Sequence, residues 1–128
     1  MTTPAVILVV DDNEAGSLLA CAVLEREGFE VDAAGSAEEV LECLSVRRPD
    51  LILMDVQLPG QDGLSLTRQL KADLSTAGIR IVALTAHAMA GDEEAAIEAG
   101  CSGYISKPIN TRTLGDQVRE FLQPAAAG

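Results

Sequence analysis

Val6-Ile7-Leu8-Val9-Val10-Asp11-Asp12 is the stretch on which the fold turns. Five successive apolar residues, four of them β-branched, leave no polar face. The segment therefore predicts a strand covered on both sides. Such strands belong to parallel sheets flanked by helices. This one stops abruptly on two carboxylates.

The pattern continues outward. Leu18, Leu19, Ala22 and Val23 recur at helical spacing, with Gly28 as a stop. Phe29 to Ala33 reads as a second strand. Ser36-Ala37-Glu38-Glu39 is a capping box opening a helix that carries Val40, Leu41 and Leu44, and Pro49 ends that connection. Leu51-Ile52-Leu53-Met54 is a third strand. A Pro59-Gly60 turn follows, then a helix with Leu64, Leu66, Leu70 and Leu74. Ile79 to Leu84 is the fourth strand, Asp92 to Ala99 an acidic, alanine-rich helix closed by Gly100, and Gly103 to Ser106 the fifth strand. Leu114, Val118, Phe121 and Leu122 line a last helix, and Pro124 to Gly128 is a frayed tail. Five strands alternating with five helices predict an α/β fold, a doubly wound five-stranded parallel sheet.

The bulk numbers agree. A chain of 128 residues has the size of one domain, with an expected core of about residues 5–122 and a tail over 123–128. Hydrophobic residues make up 48% and aromatics 2%, so the core is expected to be aliphatic. The formal net charge of -11 disfavours nucleic acid and anionic membranes and suits a metal cation or a basic protein surface. Most of that charge needs no ligand to explain it, since acidic faces keep a protein soluble. Cys21, Cys43 and Cys101 cannot all pair, and none forms a C-x-x-C motif. They are expected to be small buried hydrophobes of a reduced, cytoplasmic protein. No secretory leader and no apolar stretch of ~18 residues is present, so no membrane span is expected.

In doubly wound sheets, ligands bind beyond the carboxyl ends of the strands. The first strand is followed by Asp11 and Asp12, the third by Asp55, the fourth by Thr85 and the fifth by Lys107. Each has an ordinary explanation alone, as a helix cap or a surface residue. Three carboxylates, a hydroxyl and an ammonium at one edge make a site.

At these residues the chain resembles the receiver family of response regulators, from Val6 to about Leu122. The matching pieces are Val9-Val-Asp-Asp-Asn13, Leu53-Met-Asp-Val-Gln-Leu-Pro-Gly60 with Asp62-Gly63, Ala83-Leu-Thr-Ala86 and Gly103-Tyr-Ile-Ser-Lys-Pro108. The resemblance implies a flavodoxin-like (βα)5 fold with strand order 2-1-3-4-5. Under that order Asp12 and Thr85 stand one strand to either side of Asp55, ~4.8 Å per strand, and Lys107 starts ~10 Å away. A lysine side chain spans such a gap. Two carboxylates ~4 Å apart repel by about 4 kcal/mol at an effective dielectric of 20. A hard divalent cation relieves that repulsion.

The resemblance also implies roles. Asp55 is the expected phosphoacceptor. Magnesium, with manganese an acceptable substitute, is expected at Asp11, Asp12, Asp55 and the main-chain carbonyl of Gln57, with Asp11 acting largely through water. Lys107 is expected to contact the phosphoryl group, with a cis bond to Pro108. Thr85 is expected to hydrogen-bond that group, and Tyr104 to change rotamer with it. The segments Thr85 to Asp92 and Ile105 to Ile109 resemble receivers of hybrid kinases and of single-domain cell-cycle regulators.

The implied function is a two-component phosphorelay switch. It would take phosphate from a sensor histidine kinase or histidine phosphotransfer protein and act on a downstream protein target. It would catalyse only its own phosphorylation and slow dephosphorylation. Two other functions lack the residues they need. A phosphatase with an aspartyl nucleophile needs an acid/base Asp two residues further on, and that position is Gln57. A nucleotide-binding module needs G-x-G-x-x-G or a Walker loop, and neither is present. His87, the single histidine, is read as a rim residue tuning phosphoryl access, and Met89 as packing beneath the fourth helix.

Overall fold

The computed structural model describes residues 4–58, 61–85 and 90–122, with only the backbone described for 61 and 90–93. Within them the chain runs β1 (Val6–Val10), α1 (Glu14–Arg26), β2 (Glu30–Ala34), α2 (Ala37–Val46), β3 (Leu51–Asp55), β4 (Gln57–Leu58), β5 (Gln61–Asp62), α3 (Gly63–Ala72), β6 (Arg80–Thr85), α4 (Ala90–Ala99), β7 (Gly103–Ser106) and α5 (Leu114–Leu122). Five strands form one sheet in the order β2-β1-β3-β6-β7, with every pairing parallel. Counting only these strands, the order is 2-1-3-4-5, as expected. The remaining two, β4 and β5, pair antiparallel between β3 and α3. The Pro59-Gly60 signal in the sequence predicts only a turn there.

Side-chain alternation splits the core in two. Leu8, Val10, Ile52, Met54, Ile81 and Ala83 pack on one face with Val40, Leu66, Leu70 and Ala96 of α2, α3 and α4. Ile7, Val9, Leu51, Leu53, Val82 and Leu84 pack on the other with residues of α1 and α5. Helix ends follow the sequence signals. Gly28 and Gly100 lie at φ 98° and 112°, which glycine adopts without a Cβ penalty. Ser36 caps α2 by accepting from the Glu39 N–H at 3.3 Å. Glu39 reaches back to the N–H of Gly35 rather than to that of Ser36 itself.

Several expectations need correction. Leu18 and Leu19, read as the inner stripe of α1, are 64% and 45% exposed, and Ala22 is exposed too. The buried residues of that helix are Ala20, Val23 and Leu24. Leu41 is half exposed on α2. Leu74 lies beyond the end of α3, because the helix stops at Ala72, and it is 96% exposed. Among the cysteines only Cys101 is buried; Cys21 and Cys43 are half-buried. The second strand begins one residue later than expected, and the third and fourth strands extend to include Asp55 and Thr85. Ala86, His87, Met89, the Pro59-Gly60 turn and the 123–128 tail lie outside the described residues.

Candidate functional site

The sheet register sets the site. Val10 pairs with Met54 and Asp55 with Leu84, so Asp11 stands level with Asp55 on the neighbouring strand. Asp11 extends the ladder toward β2 through its N–H to the Ala34 carbonyl at 3.0 Å. Asp55 closes β3, Thr85 closes β6 and Lys107 directly follows β7. Asp11, Asp55 and Thr85 are buried, whereas Asp12 is exposed. One carboxylate oxygen from each of Asp11, Asp12 and Asp55 lies within 4.8 Å of the other two.

Lys107 crosses to this group from two strands away. Its Nζ is 2.9 Å from Asp55 Oδ2 and 3.1 Å from Asp11 Oδ2. The other oxygens are fixed by backbone donors. Asp55 Oδ1 accepts from the Gln57 N–H at 2.9 Å, and Asp11 Oδ1 from the Asn13 N–H at 2.9 Å. Both carboxylates are thus turned with Oδ2 toward the ammonium. The Lys107 main chain is anchored as well, its N–H donating to the Thr85 carbonyl at 2.7 Å, and the Lys107-Pro108 bond is cis.

Local sequence explains this precision. Asn13 caps α1 by accepting from the Gly16 N–H at 3.0 Å, which starts the helix immediately behind Asp11. On the other side, the Asp62 side chain caps α3 through the Leu64 N–H at 2.9 Å. Gly63 donates its N–H to the Val56 carbonyl at 3.0 Å. A Cβ at Gly63 would overlap the Asp55 carbonyl oxygen. The start of α3 therefore presses against the strand end that carries Asp55, and only glycine permits that approach.

Burial pushes the Asp55 carboxyl above its usual range, opposed by the Lys107 and Gln57 hydrogen bonds and reinforced by Asp11. For Lys107, burial pulls the pKa down, but hydrogen bonds and charges of Asp55 and Asp11 outweigh it and raise it. Three carboxylates against one ammonium still leave excess negative charge. An all-oxygen donor set of this kind suits a hard divalent cation, and exposed Asp12 keeps one side open to it.

The structure brings together the expected Asp11, Asp12, Asp55 and Lys107. Thr85 lies beside them at the end of the adjacent strand. Gln57 meets Asp55 through its N–H, and its side chain is exposed. Tyr104 pairs with Ala83 in the register, is half-buried, and packs on the α2–α3–α4 face. Sequence reasoning missed the roles of Asn13, Asp62 and Gly63. The available signal was an Asn or Asp directly before a helical pattern, the usual mark of a cap.

Known proteins are similar to this chain in sequence and fold. The family model of the response regulator receiver domain matches residues 7–119. Polar-differentiation response regulator DivK of Brucella anthropi is 39% identical over 122 residues, which is 95% of this chain and 99% of that protein. The DivK protein of Brucella ovis is 40% identical over 119 residues, 93% and 97% of the two chains. Among solved structures, a putative response regulator from Chloroflexus aurantiacus superposes with a TM-score of 0.88 at 33% identity, covering 94% of this chain and 98% of that one. Chemotaxis response regulator CheY4 of Vibrio cholerae gives 0.87 at 25% identity, covering 93% and 99%. With its sheet order, its acidic strand ends and a match across most of its length, this chain belongs to the receiver-domain family of two-component response regulators.

Proposed function

We propose that Asp55 accepts a phosphoryl group from a phosphohistidine on a sensor kinase or histidine phosphotransfer protein, and that the modified domain then presents an altered surface to a downstream protein. The observation that carries this reading is Lys107 bridging Asp55 and Asp11 within a cluster of three carboxylates. A carboxylate oxygen of Asp55 forms the new P–O bond while the P–N bond breaks, its electron pair leaving with the imidazole. Lys107 and Thr85 hold the phosphoryl oxygens, the ammonium offsetting charge and the hydroxyl donating a hydrogen bond. Magnesium held by Asp11, Asp12, Asp55 and the Gln57 carbonyl would supply further neutralisation of the transferring group.

This reading takes residues 1–128 as a single receiver domain working in the cytoplasm, with phosphorylation and slow dephosphorylation of itself as its only chemistry. Among the described residues no helix is long and apolar enough to cross a membrane. Incubation with acetyl phosphate and magnesium is expected to add one base-labile phosphoryl group, detected by intact-mass spectrometry. Asp55→Asn should abolish it, and full labelling of that variant would move the acceptor elsewhere. Sustained phosphate release from a generic phosphomonoester would instead favour a phosphatase.

A further inference from the structure

Asp11 and Asp55 present their carboxylates to the cluster in the same way. Each has Oδ1 on a main-chain donor two residues further along, the Asn13 N–H for Asp11 and the Gln57 N–H for Asp55, both at 2.9 Å. Each turns Oδ2 to the Lys107 ammonium, at 3.1 and 2.9 Å. The two kinds of tether differ in how easily they give way. Lys107 is a flexible side chain and can swing aside. The N–H groups are fixed by the fold: Asn13 is the N-cap of α1, and Gln57 is paired with Asp62 in the β4–β5 ladder.

Packing restrains Asp11 further. Gly16, in the first turn of α1, lies so close that a Cβ there would sit 3.1 Å from Asp11 Oδ2. Turning the carboxylate to bring Oδ1 inward would also unpair the Asn13 N–H, and a donor left unpaired in a part-buried position is costly. Each buried carboxylate therefore has one oxygen to give, and exposed Asp12 completes the donor set. That count separates the hard cations. Calcium takes about six to eight oxygens and commonly both oxygens of one carboxylate, whereas the smaller magnesium holds a near-ideal octahedron filled out by water.

We infer that the Asn13 and Gln57 main-chain N–H groups set the metal specificity of this site, restricting Asp11 and Asp55 to one oxygen each and so favouring magnesium over calcium. The inference rests on the reading above that the acidic cluster holds a divalent cation. It makes residue 13 a positioning residue through its backbone, apart from the cap that its side chain supplies.

The test is an NMR titration of the full chain with magnesium chloride and, separately, calcium chloride, following the amides of residues 11–13 and 55–57. Magnesium is expected to bind about tenfold more tightly than calcium, the scale on which groups that orient metal ligands act. Asn13→Pro deletes the N–H at a φ of -83°, close to the value proline adopts. Asn13→Ala removes the cap but keeps the N–H. The preference should survive in Asn13→Ala and shrink severalfold in Asn13→Pro, with calcium gaining affinity. Should Asn13→Pro lose its native spectrum, an ester in place of the Asp12–Asn13 amide removes the same N–H without altering a side chain, and ligation at Cys21 gives access to it. Calcium binding as tight as magnesium in the unaltered chain, or equal changes in the two variants, would overturn the inference and leave the metal site standing. Absence of shifts with either cation would remove the metal site itself, and this inference with it.

Discussion

Gly63 shows how closely the acceptor strand is confined. Its missing Cβ is the space occupied by the Asp55 carbonyl oxygen, so alanine there must push α3 away from β3 or twist the strand end. Overpacking of this sort costs ~1–3 kcal/mol. Gly63→Ala is expected to lose that much in urea denaturation. Exposed Asp12 should behave differently. Asp12→Ala should leave the metal-free melting temperature nearly unchanged but remove most of the rise that magnesium produces, because binding to the native state alone stabilises it. An unaltered magnesium response would contradict the acidic-cluster reading. The carboxylates were legible because strand ends are where such sheets gather ligands. The Gln57 and Asn13 N–H groups that aim Asp55 and Asp11 were not, since a backbone donor leaves no trace in residue identity.

At the scale of elements, α1 exposes the limit of periodicity. Leu18-Leu19-Ala20-Cys21-Ala22-Val23-Leu24 is apolar at every position, so spacing cannot select a face. Packing selects it: Ala20, Val23 and Leu24 meet Ile7 and Val9 of the sheet, leaving Leu18 and Leu19 outside. Thermal or chemical unfolding should make the distinction plain. Leu24→Ala removes a fully buried side chain and should cost ~2–5 kcal/mol. Leu18→Ala, at 64% exposure, should stay within about 0.5 kcal/mol. The strands were read better than the helices because β1 and β3 have no polar face to misplace. Ser36 and Gly28 marked their helix ends in the sequence and keep those roles.

Across the whole molecule, strand order decides function. Alternating strands and helices specify a parallel sheet but not which strand lies beside which. The order came from the family resemblance, and it puts Asp11 and Thr85 on the two strands flanking Asp55. The same order lets Lys107 tie two distant strand ends together while its backbone holds Thr85. A phosphoryl group adds charge and strong acceptor oxygens at that edge. Thr85 is then expected to move toward it and Tyr104 to turn inward. In NMR spectra of beryllofluoride-bound protein, shifts should spread from Asp55 through Thr85 to Tyr104 and residues 94–99. Thr85→Ala should bind beryllofluoride yet lose most of the distant shifts. Their survival would mean that coupling does not run through this hydroxyl.

The half-buried ring of Tyr104 on the α2–α3–α4 face has an optical consequence. The chain contains one tyrosine and no tryptophan. Its ultraviolet emission as a tyrosine therefore comes from a single fluorophore with no indole to drain it. Unlabelled protein thus carries its own lamp at the position expected to move, and the intensity of that lamp should follow the occupancy of Asp55 in real time.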